Sequence, residues 1–173
     1  MFADRDIKAV LCARGGYGAL RMLPLVDFDI IRANPKLLIG CSDVTVLLNA
    51  LVAQCGLPVL HGPMVASLGA ASKITKQAFG HMILTIDLPA IIPEHPVIIK
   101  PGKASGTLTG GNLTTLCHLA GTSFMPDFSG HILLFEDIGE LPYRIDRMLV
   151  QMKMAGCFDR IAGIILGSFK NCG

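Results

Sequence analysis

Apolar positions along this chain fall into short runs that alternate between two spacings. IKAVLCA (7–13) reads as a buried strand ended by RGGYG (14–18). Residues 19–25 predict a short helix stopped near Pro24. KLLIG (36–40) is a second buried run, followed by Cys41, Ser42 and Asp43. The segment 44–54 then places Val44, Leu47, Leu48 and Leu51 on one face of an amphipathic helix, with Gly56 as its stop. PVLHG (58–62) is a third strand. Strand, helix and strand with short links imply parallel pairing and a right-handed crossover. Sites in such sheets lie at the carboxyl ends of the strands. RGGYG, GCSD and HGP all follow strand carboxyl ends, so the three meet at one crevice.

Residues 64–96 are less regular. The spacing predicts a helix over 73–85, then DLPAIIPEHP, whose three prolines mark an extended linker. VIIK and ASGTLTGGN, from Val97 onward, read as short strands and turns. Asn112 starts a helix through Ala120, with Leu113, Leu116 and Cys117 inward and Gly121 as its stop. HILLFED is a strong strand. Pro142 starts another helix that buries Ile145, Met148, Leu149 and Met152. RIAGIILGS is the last strand.

Composition narrows the class. The 173 residues are 51% hydrophobic and 16% charged, with a mean hydropathy of +0.56. An ordinary domain is about 25% charged, so much of the apolar surface must be covered, by further chain or by a partner such as a second copy. Net charge +2 and the absence of a basic cluster with interleaved aromatics argue against nucleic acid. No apolar run approaches the ~18 residues of a membrane span. The charged N-terminus lacks the apolar core of a signal peptide. Six cysteines lie scattered without a CxxC, which argues against a metal or redox motif and for a reducing, cytoplasmic setting. Both ends fall abruptly beside strands, which predicts a fragment of a longer protein.

Candidate chemistry centres on Ser42. A serine on a tight strand-to-helix turn presents its hydroxyl at the positive end of the helix. The same serine can be a plain N-cap, with Asp43 a first-turn acid. Val44 stands where a full G-x-S-x-G elbow has its second glycine. RGGYG forms either a turn or an anion-binding nest of N–H groups. Beside Ser42, the N–H of Gly15 or Gly16 can join that of Asp43 as an oxyanion hole. Glu136 and Asp137 end an apolar strand and either meet solvent or enter the crevice. Glu140 can cap the next helix. Arg144 and Arg147 read as its solvated face, with Arg144 within reach of Glu136 or Glu140. A serine hydrolase needs a base, usually histidine. Of His61, His81, His95, His118 and His131, only His61 lies at a strand end near the crevice.

The joined pattern AVLCARGGYGALRMLPLVDFDIIRANPKLLIGCSDVT, LHGP, TGGNLTTL and LLFEDIGELPYRIDRML resembles the LD-carboxypeptidase family (muramoyltetrapeptide carboxypeptidases), weakest over about 68–100. The resemblance implies a serine peptidase with a Ser-Glu-His triad and no metal or other cofactor. It implies cleavage before the terminal D-alanine of murein tetrapeptides during cell-wall recycling in the cytoplasm. Relatives hydrolyse peptide–nucleotide antibiotics in self-immunity. It makes Ser42 the nucleophile and Glu136 the triad carboxylate, with Glu140 second. Asp43 and Gly15 supply the oxyanion hole, and Gly16, Tyr17 and Arg144 beside the crevice are candidate substrate contacts. It puts the catalytic histidine beyond the last strand, and an additional strand before the first. The expected fold is α/β. A parallel flavodoxin-like sheet domain occupies 1–66, a helix and linker 67–96, and a smaller mixed α/β domain 97–173. An inactive peptide-binding remnant is the non-enzymatic alternative.

Overall fold

A computed structural model describes residues 1–85, 90, 92–93 and 95–173. Two three-stranded sheets, each wholly parallel, organise it. In the first, β2 (Leu37–Gly40) lies between β1 (Ala9–Leu11) and β3 (Leu60–His61). In the second, β5 (Ile132–Ile138) lies between β4 (Leu108–Asn112) and β6 (Gly163–Lys170). This is the α/β architecture that the alternation of periods predicts.

Helix α1 (Ala19–Met22) continues as a 3-10 turn through Leu25, with Pro24 inside the turn. Helix α2 (Phe28–Ala33) has no counterpart in the sequence reading. It is six residues long, too short to show a helical period, but Asp27 caps it by accepting from Ile30 N–H. Helix α3 (Thr45–Cys55) ends at Gly56 in the left-handed conformation, as expected. Helices α4 (Val65–Ala70) and α5 (Lys73–Leu84) follow; α5 buries none of its residues. The proposed linker over 87–96 falls partly outside the described residues. VIIK (97–100) is not a strand; Val97, Ile98 and Ile99 are all exposed. Asn112 caps α6 (Leu113–Cys117) by accepting from Thr115 N–H. Pro142 opens α7 (Pro142–Met154).

Helix α3 departs from its expected form. It is not one-sided: Val46 and Ala50 join one apolar cluster, while Leu48 and Leu51 join the other. A helix apolar all round is one buried all round. The larger cluster unites Ala19, Leu23, Val46 and Ala50 with Leu113, Leu116, Leu133, Phe135 and Met152, joining the helices that follow the first sheet's strands to β5 of the second sheet and its helices. Polar bonds fix the contact. Asn49 Nδ2, on α3, donates to Thr45 O and to Gly110 O of β4, both at 2.9 Å. Thr45 Oγ1 accepts from Asn112 N–H, and Thr115 Oγ1 donates to Ser42 O. A buried lysine, Lys36, donates to Ile7 O and anchors the chain entering β1.

Strand β5 alternates strictly. Leu133, Phe135 and Asp137 are buried on one face, whereas Ile132, Leu134 and Glu136 are half-buried on the other. Deleting the Phe135 ring, fully buried, is expected to cost about 3–5 kcal/mol. Ile165→Ala on the open strand β6, 48% exposed, is expected to cost under about 1 kcal/mol. Urea denaturation of both variants checks the contrast.

Candidate active site

Ser42 stands at φ 58°, one of two non-glycine residues with positive φ among those described. An L-residue held there stores roughly 1–3 kcal/mol of strain, which is characteristic of a nucleophile elbow. Ser42 does not act as a cap. It is the first residue of a 3-10 turn (Ser42–Val44) whose N-cap is Cys41, and α3 takes Val44 as its N-cap; neither has a side-chain cap bond. Gly40 makes the elbow possible, since a Cβ there would lie 2.7 Å from Val44 Cγ1.

The RGGYG loop closes over this turn. A Cβ built at Gly15 would lie 3.2 Å from Ser42 Cβ and 3.3 Å from Ser42 Oγ, so the Gly15 backbone borders the hydroxyl. The Asp43 carboxylate is not a free first-turn acid. Its Oδ2 accepts from Ala19 N–H at 2.9 Å and ties the loop to the elbow. Gly16 and Gly18 take positive φ, which brings Tyr17 to the surface at 90% exposure.

Ser42, Cys41, His61, Gly62, Asn112, Glu136, Asp137, Ile138, Ser168 and Lys170 line an open crevice of about 520 Å³. The alternation of β5 separates the two adjacent acids. Asp137 is turned inward and saturated: it accepts from Asn112 Nδ2, from Thr114 N–H and Oγ1–H, and from Ile138 N–H. Glu136 is left with the crevice. Opposite it, Gly167 and Ser168 of β6 form a bulge, two residues facing one, a device common beside active sites.

Burial raises the carboxyl of Glu136 above the ordinary range, and the neighbouring Asp137 charge adds to this; a bond from Asn112 opposes it. Burial lowers His61. His61 Nε2 lies 3.6 Å from Glu136 Oε1. Burial also raises the Cys41 thiol, which keeps it un-ionised beside Ser42.

Glu140 and Arg144 lie elsewhere. They face each other at 3.6 Å, and Arg144 also reaches Tyr143 Oη. His81, His95 and His118 are exposed, and His131 bonds Thr109 Oγ1. Among the described residues no group of three or more His, Cys, Asp or Glu side chains could hold a metal ion, and no helix is long and apolar enough to cross a membrane. The sequence reading passed over Lys170, Ser168 and the crevice role of Asn112. Lys170 ends a strand, like the other site residues, but the last strand runs two residues further than its apolar run suggests. Asn112 caps α6, as its place before the helix predicts, and has a second job on Asp137.

The arrangement can deliver a hydroxyl to an acyl carbon, with backbone amides for the oxyanion and a carboxylate to hold a base. Comparison with known proteins bears on this. Residues 1–62 match the model of the LD-carboxypeptidase N-terminal domain and residues 105–173 that of its C-terminal domain. A probable murein peptide carboxypeptidase of Bacillus subtilis is 42% identical over 99% of this chain and 55% of its own length. Among solved structures, an MccF-like protein from Bacillus anthracis superposes with a TM-score of 0.88 at 31% identity, covering 98% of this chain and 60% of that one. A muramoyltetrapeptide carboxypeptidase from Oxalobacter formigenes gives 0.85 at 38% identity, covering 99% and 60%. The chain thus spans somewhat over half the length of these relatives.

The raised carboxyl of Glu136 carries a stability consequence. The folded state holds that proton to higher pH than the unfolded chain does, so this group's contribution to stability falls as pH rises from the ordinary carboxylate value through the raised one. Glu136→Gln removes the effect. The variant is expected to gain stability relative to the native chain across that window and hold the gain above it, as urea midpoints from acid to neutral pH would show.

Proposed function

The chain belongs to the LD-carboxypeptidase family, and on that premise we propose that its protein is a serine peptidase that removes the terminal D-alanine from murein tetrapeptides. The observation that carries the reading is the strained Ser42, its hydroxyl bordered by Gly15 and sharing a crevice with Glu136. Strain at a single polar residue on a strand-to-helix turn suits a nucleophile and does nothing for packing.

In this reading Ser42 Oγ attacks the carbonyl carbon of the L,D-peptide bond and gives its proton to an imidazole. The N–H groups of Gly15 and Asp43 bind the oxyanion that forms. The imidazolium returns the proton to the departing D-alanine nitrogen as the C–N bond breaks. Water, deprotonated by the same imidazole, then cleaves the serine ester and restores the hydroxyl. Glu136 fixes and stabilises the imidazolium. The resemblance assigns that imidazole to the part of the family fold that these 173 residues do not span. Gly16 and Tyr17 form the rim where substrate enters. Arg144, turned to Glu140 and Tyr143, would reach only a long substrate. The chemistry fits recycling of wall peptides in the cytoplasm, and the same apparatus would serve a peptidyl-nucleotide antibiotic.

In the complete protein, Ser42→Ala is expected to lower kcat for D-alanine release by several orders of magnitude, about 10⁶ in a comparable triad. Turnover close to native would remove Ser42 from the mechanism. A murein tetrapeptide and a peptidyl-nucleotide assayed side by side would separate the two substrate classes. The 173 residues alone are expected to release no D-alanine.

A further inference from the structure

His61 lines the crevice but has no part in the proposed mechanism. It ends β3 in register with Gly40, just before the elbow. Its side chain is three-quarters covered, with Nε2 3.6 Å from Glu136 Oε1. Its other nitrogen, Nδ1, is buried with no hydrogen-bond partner. The backbone of Gly111 presses against that side so closely that a Cβ there would come within 2.9 Å of Nδ1.

A neutral imidazole carries one N–H. A proton on Nδ1 would be a buried donor without an acceptor, and would turn the Nε2 lone pair toward a carboxylate. A proton on Nε2 points at that carboxylate and buries only a lone pair. Protonating both nitrogens restores the stranded donor, in keeping with the lowered basicity that burial gives this ring. The titratable groups sharing the crevice are Glu136 and Asp137 from β5, Cys41 beside the elbow and Lys170 from β6. From β4 and α3 the ring's surroundings include Gly111 and Thr45, neither of which titrates.

We infer that His61 is a positioning residue for the Glu136 carboxylate, fixed as the Nε2–H tautomer by its buried Nδ1, and that it is not the base that activates Ser42. It steadies Oε1 and leaves Oε2 to the imidazole of the triad. The inference rests on the proposed role of Glu136.

Long-range ¹H–¹⁵N correlation spectra of the histidine-labelled 173-residue chain test it directly. The expected result is a His61 that is neutral at neutral pH and protonated on Nε2. An Nδ1–H tautomer, or a doubly protonated ring at neutral pH, would overturn it. The ¹³C titration of Glu136 supplies a second readout. His61→Leu removes a donor to the charged carboxylate, so its midpoint is expected to rise; His61→Gln, whose amide stands near the lost Nε2–H, is expected to restore it. Equal midpoints in the native chain and both variants would also sink the proposal. Should His61→Leu fail to fold, the native tautomer and the Gln variant still decide. Neither readout needs turnover, so a protein without peptidase activity would count against the proposed reaction and leave the His61 assignment standing.

Discussion

The site depends on the hydrogen bonds that lash α3 and its elbow to β4 and α6. Asn49 reaches Gly110 O, Thr45 receives Asn112 N–H, and Thr115 holds Ser42 O. Each joins a residue of the first sheet's connections to one of the second sheet's. Together they set where Ser42 stands relative to Glu136. Buried polar contacts like these add little net stability, but leaving one half unmet costs about 1–3 kcal/mol. They therefore specify one docking arrangement more than they strengthen it. Asn49 keeps an unmet oxygen as the cost of this role.

Much of this was legible in the residues. The periods predict the parallel strands, and the rule that sites sit at strand carboxyl ends brings RGGYG, GCSD and HGP to one place. Caps at Asn112 and Gly56 and the start at Pro142 follow from local chemistry that tertiary contacts rarely override. The strand alternation of β5 could also have separated Glu136 from Asp137, since Leu133 and Phe135 on one face send Asp137 the same way.

What escaped was non-local. Short α2 and α4 have too few turns to show a period. VIIK has strand composition but finds no strand to pair with, and composition alone cannot tell. The double-sided burial of α3 needs knowledge of a second sheet. The interlock of Asp43 with Ala19, across 24 positions, and the approach of His61 to Glu136 are products of the fold. No spacing announces either. The bulge opposite Glu136 is likewise a mismatch between two strands, invisible in each by itself.

A helix shared by two sheets has a mechanical result. Many crevices between sheets open and shut about a hinge, but here such bending would tear α3 from one apolar cluster or the other. The relation between the elbow and β5 is accordingly fixed by packing and not by what enters the cleft.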